Sequence, residues 1–413
     1  MRYLRQMSSP SLTIYQRGIR ARNAIWGAFF LLGFAGLAWI PRIPEIKDSL
    51  GLTDGQFGLV LLASTLGAIP GAQLSGRVVH MHSSKLVVRI SAITLPVGVF
   101  IMGSATNVST LVCGMFISGF SVGFMDVAIN AQAVAIEKHT QGRWMSTFHA
   151  MWSIGAFFAT LIGGVIAQFV SPRINLWSIA IFTFFAYFFC VHYLLPADLD
   201  GHLGEPGEDT ESKVPLFGKQ AMVLWALGIG LMAALIPEGG AYEWSGILLQ
   251  DHMGIGIGVN ASAATAFSLA MITSRLLGDR FFAKWGYVNT VKYGGYFGGG
   301  IWGLSLLIGI PLSDSNQLLG LVIVCVGFAA AGFGMGPFFP AFNLAAASIP
   351  GVAPSVGLAR IGTIAIAAYF AGPTLMGGIA EVTSLPVAFA FPVVLFFIAG
   401  YQSKHIKVRE LSS

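Results

Sequence analysis

Charge is what this sequence has least of. Only 10% of its 413 residues are Asp, Glu, Lys or Arg, where a soluble domain carries about 25%. That shortage excludes a water-soluble globular chain. Cysteine is scarce too: Cys113, Cys190 and Cys325 all fall in apolar runs, which excludes a disulfide framework and a cysteine metal cluster. There is no H-E-x-x-H, and His80 with His82 has no further ligand nearby, so neither a metal nor a cofactor is expected. No small-residue cleavage site follows the basic arm of Arg2, Arg5, Arg17, Arg20 and Arg22, which runs straight into an apolar segment and reads as a cytoplasmic anchor.

What the chain has is hydrocarbon. Hydrophobic residues make up 55% of it, with 52 Gly and 32 Phe, and the mean hydropathy is +0.74. Apolar runs recur at about 22–41, 56–79, 86–104, 108–136, 146–169, 175–195, 219–237, 259–282, 290–312, 316–346, 356–381 and 385–402. Each is long enough to cross a bilayer core of roughly 30 Å as a helix. The expected fold is an all-α polytopic membrane protein with twelve transmembrane helices. Abundant Gly suits helices packed closely in lipid.

Lys and Arg gather in alternate connections. Arg77, Lys85, Arg89, Lys138, Arg143, Lys213, Lys219, Arg280, Lys284, Lys404, Lys407 and Arg409 fall on the N-terminal side, against Arg42, Lys47 and Arg173 on the other. The positive-inside rule then places both termini in the cytoplasm. The pI near 9.1 reflects that topology, and no nucleic-acid partner is implied.

The one long polar stretch, PADLDGHLGEPGEDTESKVPLFGK, is acidic, rich in Gly and Pro, and without apolar periodicity. It reads as a linker. It divides the chain into an N-terminal six-helix bundle (1–195), a cytoplasmic linker (196–218) and a C-terminal six-helix bundle (219–413). The halves echo one another: Gly76-Arg77 follows the second span and Gly278-Asp279-Arg280 the eighth. Transporters built from such repeats bind substrate near the midplane, between the halves.

Charges within spans are costly and usually face a cavity or pair with one another. Asp126 and Asn130, in GFMDVAIN, are four apart and share a helix face. With Gly119, Gly123 and Ala128 around them they could grip hydroxyl groups, and a desolvated carboxylate can carry a proton; the alternative is a structural tie to an Arg. His149, with Trp152 and Ser153 a turn away, can relay protons or merely pack. Pro237 and Gly239-Gly240 suggest a broken helix, and with it Glu238, Tyr242 and Trp244 as lining residues; the alternative is an interfacial aromatic belt with Glu243 on the outer rim. Trp39 and Arg42 end span one, Trp39 as a candidate substrate-binding residue and Arg42 as a candidate gating charge. Arg42 is expected to hold an anion, pair with Asp126 or Glu238, or cap the span. Arg275 and Asp279, four apart, are expected to form an ion pair latching the inner gate, with Arg280 beside them and Arg360 as a further gating charge. Asn343 occupies the repeat position matching Asn130, and Pro337 and Pro340 should kink its helix.

Three stretches imitate other chemistry. GFSVG (119–123) has the spacing of a nucleophile elbow, but lies in a membrane helix rather than a strand–turn–helix. GIGIG (254–258) and GFGMG (332–336) resemble phosphate loops without the strand or the following Lys. An enzyme is not expected.

The pattern of two parallel six-span repeats with a basic turn between spans two and three resembles the major facilitator superfamily. The acid and the amide of span four resemble its fucose permease branch. WIPRIPEIKDSLGLTDGQFGLVLLA, MSTFHAMWSIG, EGGAYEWSG and AGPTLMGGIAEVTSL resemble a bacterial inner-membrane group near that branch. The resemblance implies proton-coupled sugar binding at Asp126, with Asn130 as companion. The branch's other key carboxylate, in span one, has no counterpart, since Ile40 stands there; Glu238 is the candidate replacement. The implied function is a proton-coupled symporter of a small polar organic solute, a sugar being one candidate. It would be a monomer among inner-membrane lipids, with H⁺ as coupling ion. The alternatives are a proton-antiport exporter of amphipathic compounds and a non-transporting membrane sensor.

Overall fold

A computed structural model describes residues 13–142, 144–200, 218–350, 352 and 354–407. Arg2, Arg5, Arg143, Lys213, Arg409 and most of the expected linker lie outside the described residues. Among the described residues the regular structure is helical: α1 (Ile14–Leu37), α2 (Ile43–Ser49), α3 (Asp54–Met81), α4 (Ser84–Gly103), α5 (Val108–Thr140), α6 (Met145–Ala167), α7 (Pro172–Tyr193), α8 (Lys219–Glu243), α9 (Ser245–Met253), α10 (Ser262–Ser313), α11 (Gln317–Met335), α12 (Phe338–Ala347), α13 (Pro354–Val382), α14 (Leu385–Ala388) and α15 (Ala390–Gln402).

The starts are written locally. Thr13 with Gln16 and Thr53 with Gln56 form reciprocal capping boxes on α1 and α3. Ser83, Asn107, Ser171 and Asn316 cap α4, α5, α7 and α11 through their side chains. Asn107, which matches a glycosylation pattern, therefore has a structural task.

Among the described residues, eleven stretches are long and apolar enough to cross a membrane. One of them, Val259–Ser313, runs 55 residues and is broken at Gly286, where φ is 71° and ψ 166°. A left-handed backbone of this kind suits only glycine. The break turns one stretch into two crossings, so among the described residues the crossings number twelve, and α1 begins on the same face on which α15 ends, here called the terminal face.

The expected break at Pro237 is not there. Proline at that point leaves α8 continuous, and the helix ends at Glu243, with Trp244 between it and α9. The expected kink near Pro337 is there: α11 ends at Met335 and α12 starts at Phe338, with Gly336 and Pro337 between them still in the right-handed helical region.

The helices pack as two groups, α1 and α3–α7 against α8 and α10–α15, joined chiefly by α3 on α13 and α6 on α10. Glycine sets the spacing inside each group. A Cβ on Gly119 of α5 would lie 2.0 Å from the Ser64 carbonyl of α3, and one on Gly332 of α11 would lie 2.2 Å from the Phe267 carbonyl of α10. These are equivalent places in the two repeats. They also account for two of the imitative motifs: the glycines of GFSVG and GFGMG are helix-packing glycines.

Candidate functional site

The face opposite the termini is sealed by contacts between the two groups. Lys47 is buried, 3.0 Å from Asp54 of its own group and 3.4 Å from Asp251 of the other. The Gln250 amide donates to Asp48 (2.9 Å), and the Gly55 amide donates to Glu381 (2.9 Å). Asn260, the other asparagine in a glycosylation pattern, is buried and donates to Gln250 at 3.1 Å. Beneath this polar layer Phe57 meets Trp244 edge-on at 5.4 Å and lies 6.3 Å from Trp39. Burial pushes the Asp251 carboxyl above its ordinary value; Lys47 opposes the shift, and Asp48 and Asp54 add to it.

Deeper, the two groups touch at two polar points. The Thr65 hydroxyl donates to the Tyr369 carbonyl at 3.1 Å. The Arg275 guanidinium donates to Ser153 at 2.5 Å and lies 3.9 Å from Glu238. Glu238 and Arg275 belong to one group and Ser153 to the other, so this short chain of side chains spans the interface.

Around that crossing point are side chains open to solvent: Asp126, His149 and Tyr369, the last 51% exposed. Tyr369 lies within electrostatic reach of both Asp126 and Glu238. His149 lies within reach of Arg275 and sits edge-on to Phe29 at 5.2 Å. These side chains make a polar centre between the two groups. Asp126 accepts a hydrogen bond from the Asn130 amide at 3.2 Å. Among the described residues it has no cationic partner, whereas Glu238 has Arg275.

The sequence candidates therefore divide. Asp126, Asn130, His149 and Glu238 converge on the centre. Trp39 and Trp244 are buried in the seal. Tyr242 is buried behind the centre, accepting from Ser268 at 2.9 Å. Arg42 is fully buried and pairs with neither Asp126 nor Glu238. It lies 3.1 Å from Glu45, three residues on, and donates to the Val170 carbonyl at 2.6 Å. The expected Arg275–Asp279 pair is replaced by Arg275–Glu238, because Arg275 points into the interface while Asp279 and Arg280 are exposed nearer the terminal face. Arg360 lies in the second turn of α13 and is half-buried. The Asn343 amide folds onto the Phe339 carbonyl at 2.8 Å, as the Asn130 amide folds onto the Asp126 carbonyl at 2.8 Å, so the repeat equivalence extends to side-chain geometry.

Sequence reasoning gave no role to Ser153 or Tyr369. Ser153 stands four residues after His149 and so shares its face; that spacing was the available signal. Tyr369 had none beyond being a polar ring in an apolar span.

Comparison with known proteins agrees with this architecture. The Major Facilitator Superfamily model matches residues 25–356. The chain is 30% identical over 384 residues to an uncharacterized transporter, y4wD, of Sinorhizobium fredii, covering 91% of this chain and 94% of that one. It is 27% identical over 397 residues to an uncharacterized MFS-type transporter of Yersinia pestis, covering 95% and 97%. Among solved structures, a mutant form of the nucleoside transporter NupG superposes with a TM-score of 0.73 at 11% identity, over 94% of this chain and 99% of that one. That likeness is one of fold.

Proposed function

The chain belongs to the major facilitator superfamily, a family of membrane transporters rather than enzymes, and we propose that it is a proton-coupled symporter of a small polar organic solute. One observation carries the reading: Asp126 is a solvent-open carboxylate at the junction of the two groups, with an amide for a partner and, among the described residues, no cation. A lone charge there is costly to carry across a membrane. Taking up a proton removes the charge and gives the carboxyl a donor for a solute hydroxyl. Glu238 already has Arg275 as countercharge, so Asp126 is the group that exchanges the coupling proton.

His149, Asn130 and Tyr369 supply the remaining hydrogen-bonding capacity, which suits a hydroxylated solute, sugars included. Alternating access rocks the two groups about this centre. The basic connections put the terminal face in the cytoplasm of a bacterial inner membrane. In that orientation the sealed face is the one turned away from the cytoplasm.

The test is a thermal-shift screen of sugars, polyols, organic acids, nucleosides and lipophilic cations at two pH values, on the wild type and Asp126→Asn. A ligand stabilises the state it binds by mass action. The expected result is a hydroxylated solute that stabilises the wild type more strongly at lower pH, with that pH dependence lost in the variant. Stabilisation by lipophilic compounds alone, indifferent to Asp126, would replace the symporter with an exporter.

A further inference from the structure

Away from the central site, an apolar hollow of about 350 Å³ opens on the outer flank of the first group. Phe34 of α1, Ile166 and Val170 at the end of α6, and Ile174, Ile179 and Phe182 of α7 form its walls. It continues into the lipid-facing surface: Phe182 is 55% exposed, Ile174 53% and Val165 52%. Two polar residues break its apolar lining, Ser178 on the open side and Asn175 within. Asn175 lines the hollow, is 1% exposed, and its Oδ1 is buried without a hydrogen-bond partner.

An unpaired amide is costly in a protein interior. The neighbouring polar groups do not help. The Val170 carbonyl is taken by Arg42. The Thr183 hydroxyl of the same helix donates to the Ile179 carbonyl at 2.7 Å.

We propose that this hollow is a binding site for one membrane glycerophospholipid. An acyl chain fills the space between Phe34, Ile179 and Phe182, and the glycerol-ester region meets Asn175. Asn175 lies in the first turn of α7, near the end of a span, which is the depth at which the ester groups of a bilayer meet its hydrocarbon. An asparagine amide carries both a donor and an acceptor, and a half-turn about its last bond presents either. It can therefore answer an ester carbonyl or a headgroup donor. The hollow is continuous with the surface that the bilayer already covers, so the lipid reaches it laterally without crossing a polar barrier. The site is independent of the solute carried at Asp126.

The test is native mass spectrometry of the full-length protein, extracted from its membrane into a mild detergent and stripped by increasing collision energy. The wild type is expected to keep a single phospholipid adduct after all others have gone. Ser178→Phe fills the hollow from its open side and should abolish that last adduct. Asn175→Leu keeps the volume and removes the amide, so the adduct should leave at lower collision energy; this variant also serves should Ser178→Phe fail to fold. A wild type without a persistent adduct overturns the site. So does a persistent adduct that both variants retain unchanged.

Discussion

Replacing Lys47 with methionine isolates the electrostatics of the sealed face. Lys47 is 8% exposed, and its ammonium stands between Asp54 at 3.0 Å and Asp251 at 3.4 Å. Removing it leaves two carboxylates facing each other with Asp48 nearby. Stripping one partner from a fully buried pair costs about 3–5 kcal/mol, and a surface pair is worth about 0–1 kcal/mol. The Asp54 and Asp251 side chains keep 19% and 32% exposure, so this cluster falls between the limits, at about 1–3 kcal/mol against closure. That is a shift of roughly 5- to 150-fold in the closed-to-open ratio of this face. The assay is pulsed electron–electron distance measurement between spin labels at Ser49→Cys and His252→Cys, on a background with Cys113, Cys190 and Cys325 replaced by serine. Lys47→Met should add a longer-distance population.

Asp251→Asn should behave differently. Burial raises the Asp251 carboxyl more than Lys47 lowers it, so the closed face binds that proton more tightly than an open one with the carboxylate in water. Closure is then favoured as pH falls from neutral into the carboxylate range. The gain is complete below the ordinary Asp value. Asparagine mimics the neutral form, so the variant should stay closed and lose that part of the pH dependence. If Lys47→Met left the distances unchanged, or Asp251→Asn opened the face as far as Lys47→Met does, the reasoning would fail.

Other expectations concern the centre and the packing. Asp126→Asn in proteoliposomes should uncouple solute movement from an imposed pH gradient while the protein elutes and melts normally; undiminished gradient-driven uptake would remove Asp126 from the mechanism. Arg275→Met should lower stability by leaving Glu238 unpaired, and adding Glu238→Gln should restore part of it. The thermal-unfolding double-mutant cycle should show a coupling of about 1 kcal/mol, and additive effects would mean the 3.9 Å contact is idle. Gly119→Val should force α5 from α3, because its Cβ would sit 2.0 Å from a backbone carbonyl. A melting temperature within a degree or two of wild type would show that the helices can part at little cost.

Much of this was written in the chain. A bilayer demands runs of about twenty apolar residues, so the crossings could be read with ends within a few residues, apart from the first, which begins at Ile14 rather than near 22, and the seventh, which runs to Glu243 rather than 237. The same constraint made each intramembrane polar residue conspicuous, which is how Asp126, Asn130, His149 and Glu238 were found before their meeting place was known. Local sequence did not say which charges would meet. Arg275 has Asp279 one turn along its own helix, yet it faces across the interface to Glu238 and Ser153. Arg42 was expected to reach for a distant carboxylate and instead pairs within its own turn. Trp39 and Trp244, two of the aromatic residues expected to line the site, form the seal with Phe57. Hydrophobicity is a property of each segment and survives in one dimension. Pairing depends on the rotation and tilt of helices that glycine contacts such as Gly119 on Ser64 set between segments. Only the assembled structure fixes those angles, and with them which carboxylate is left alone in the cavity.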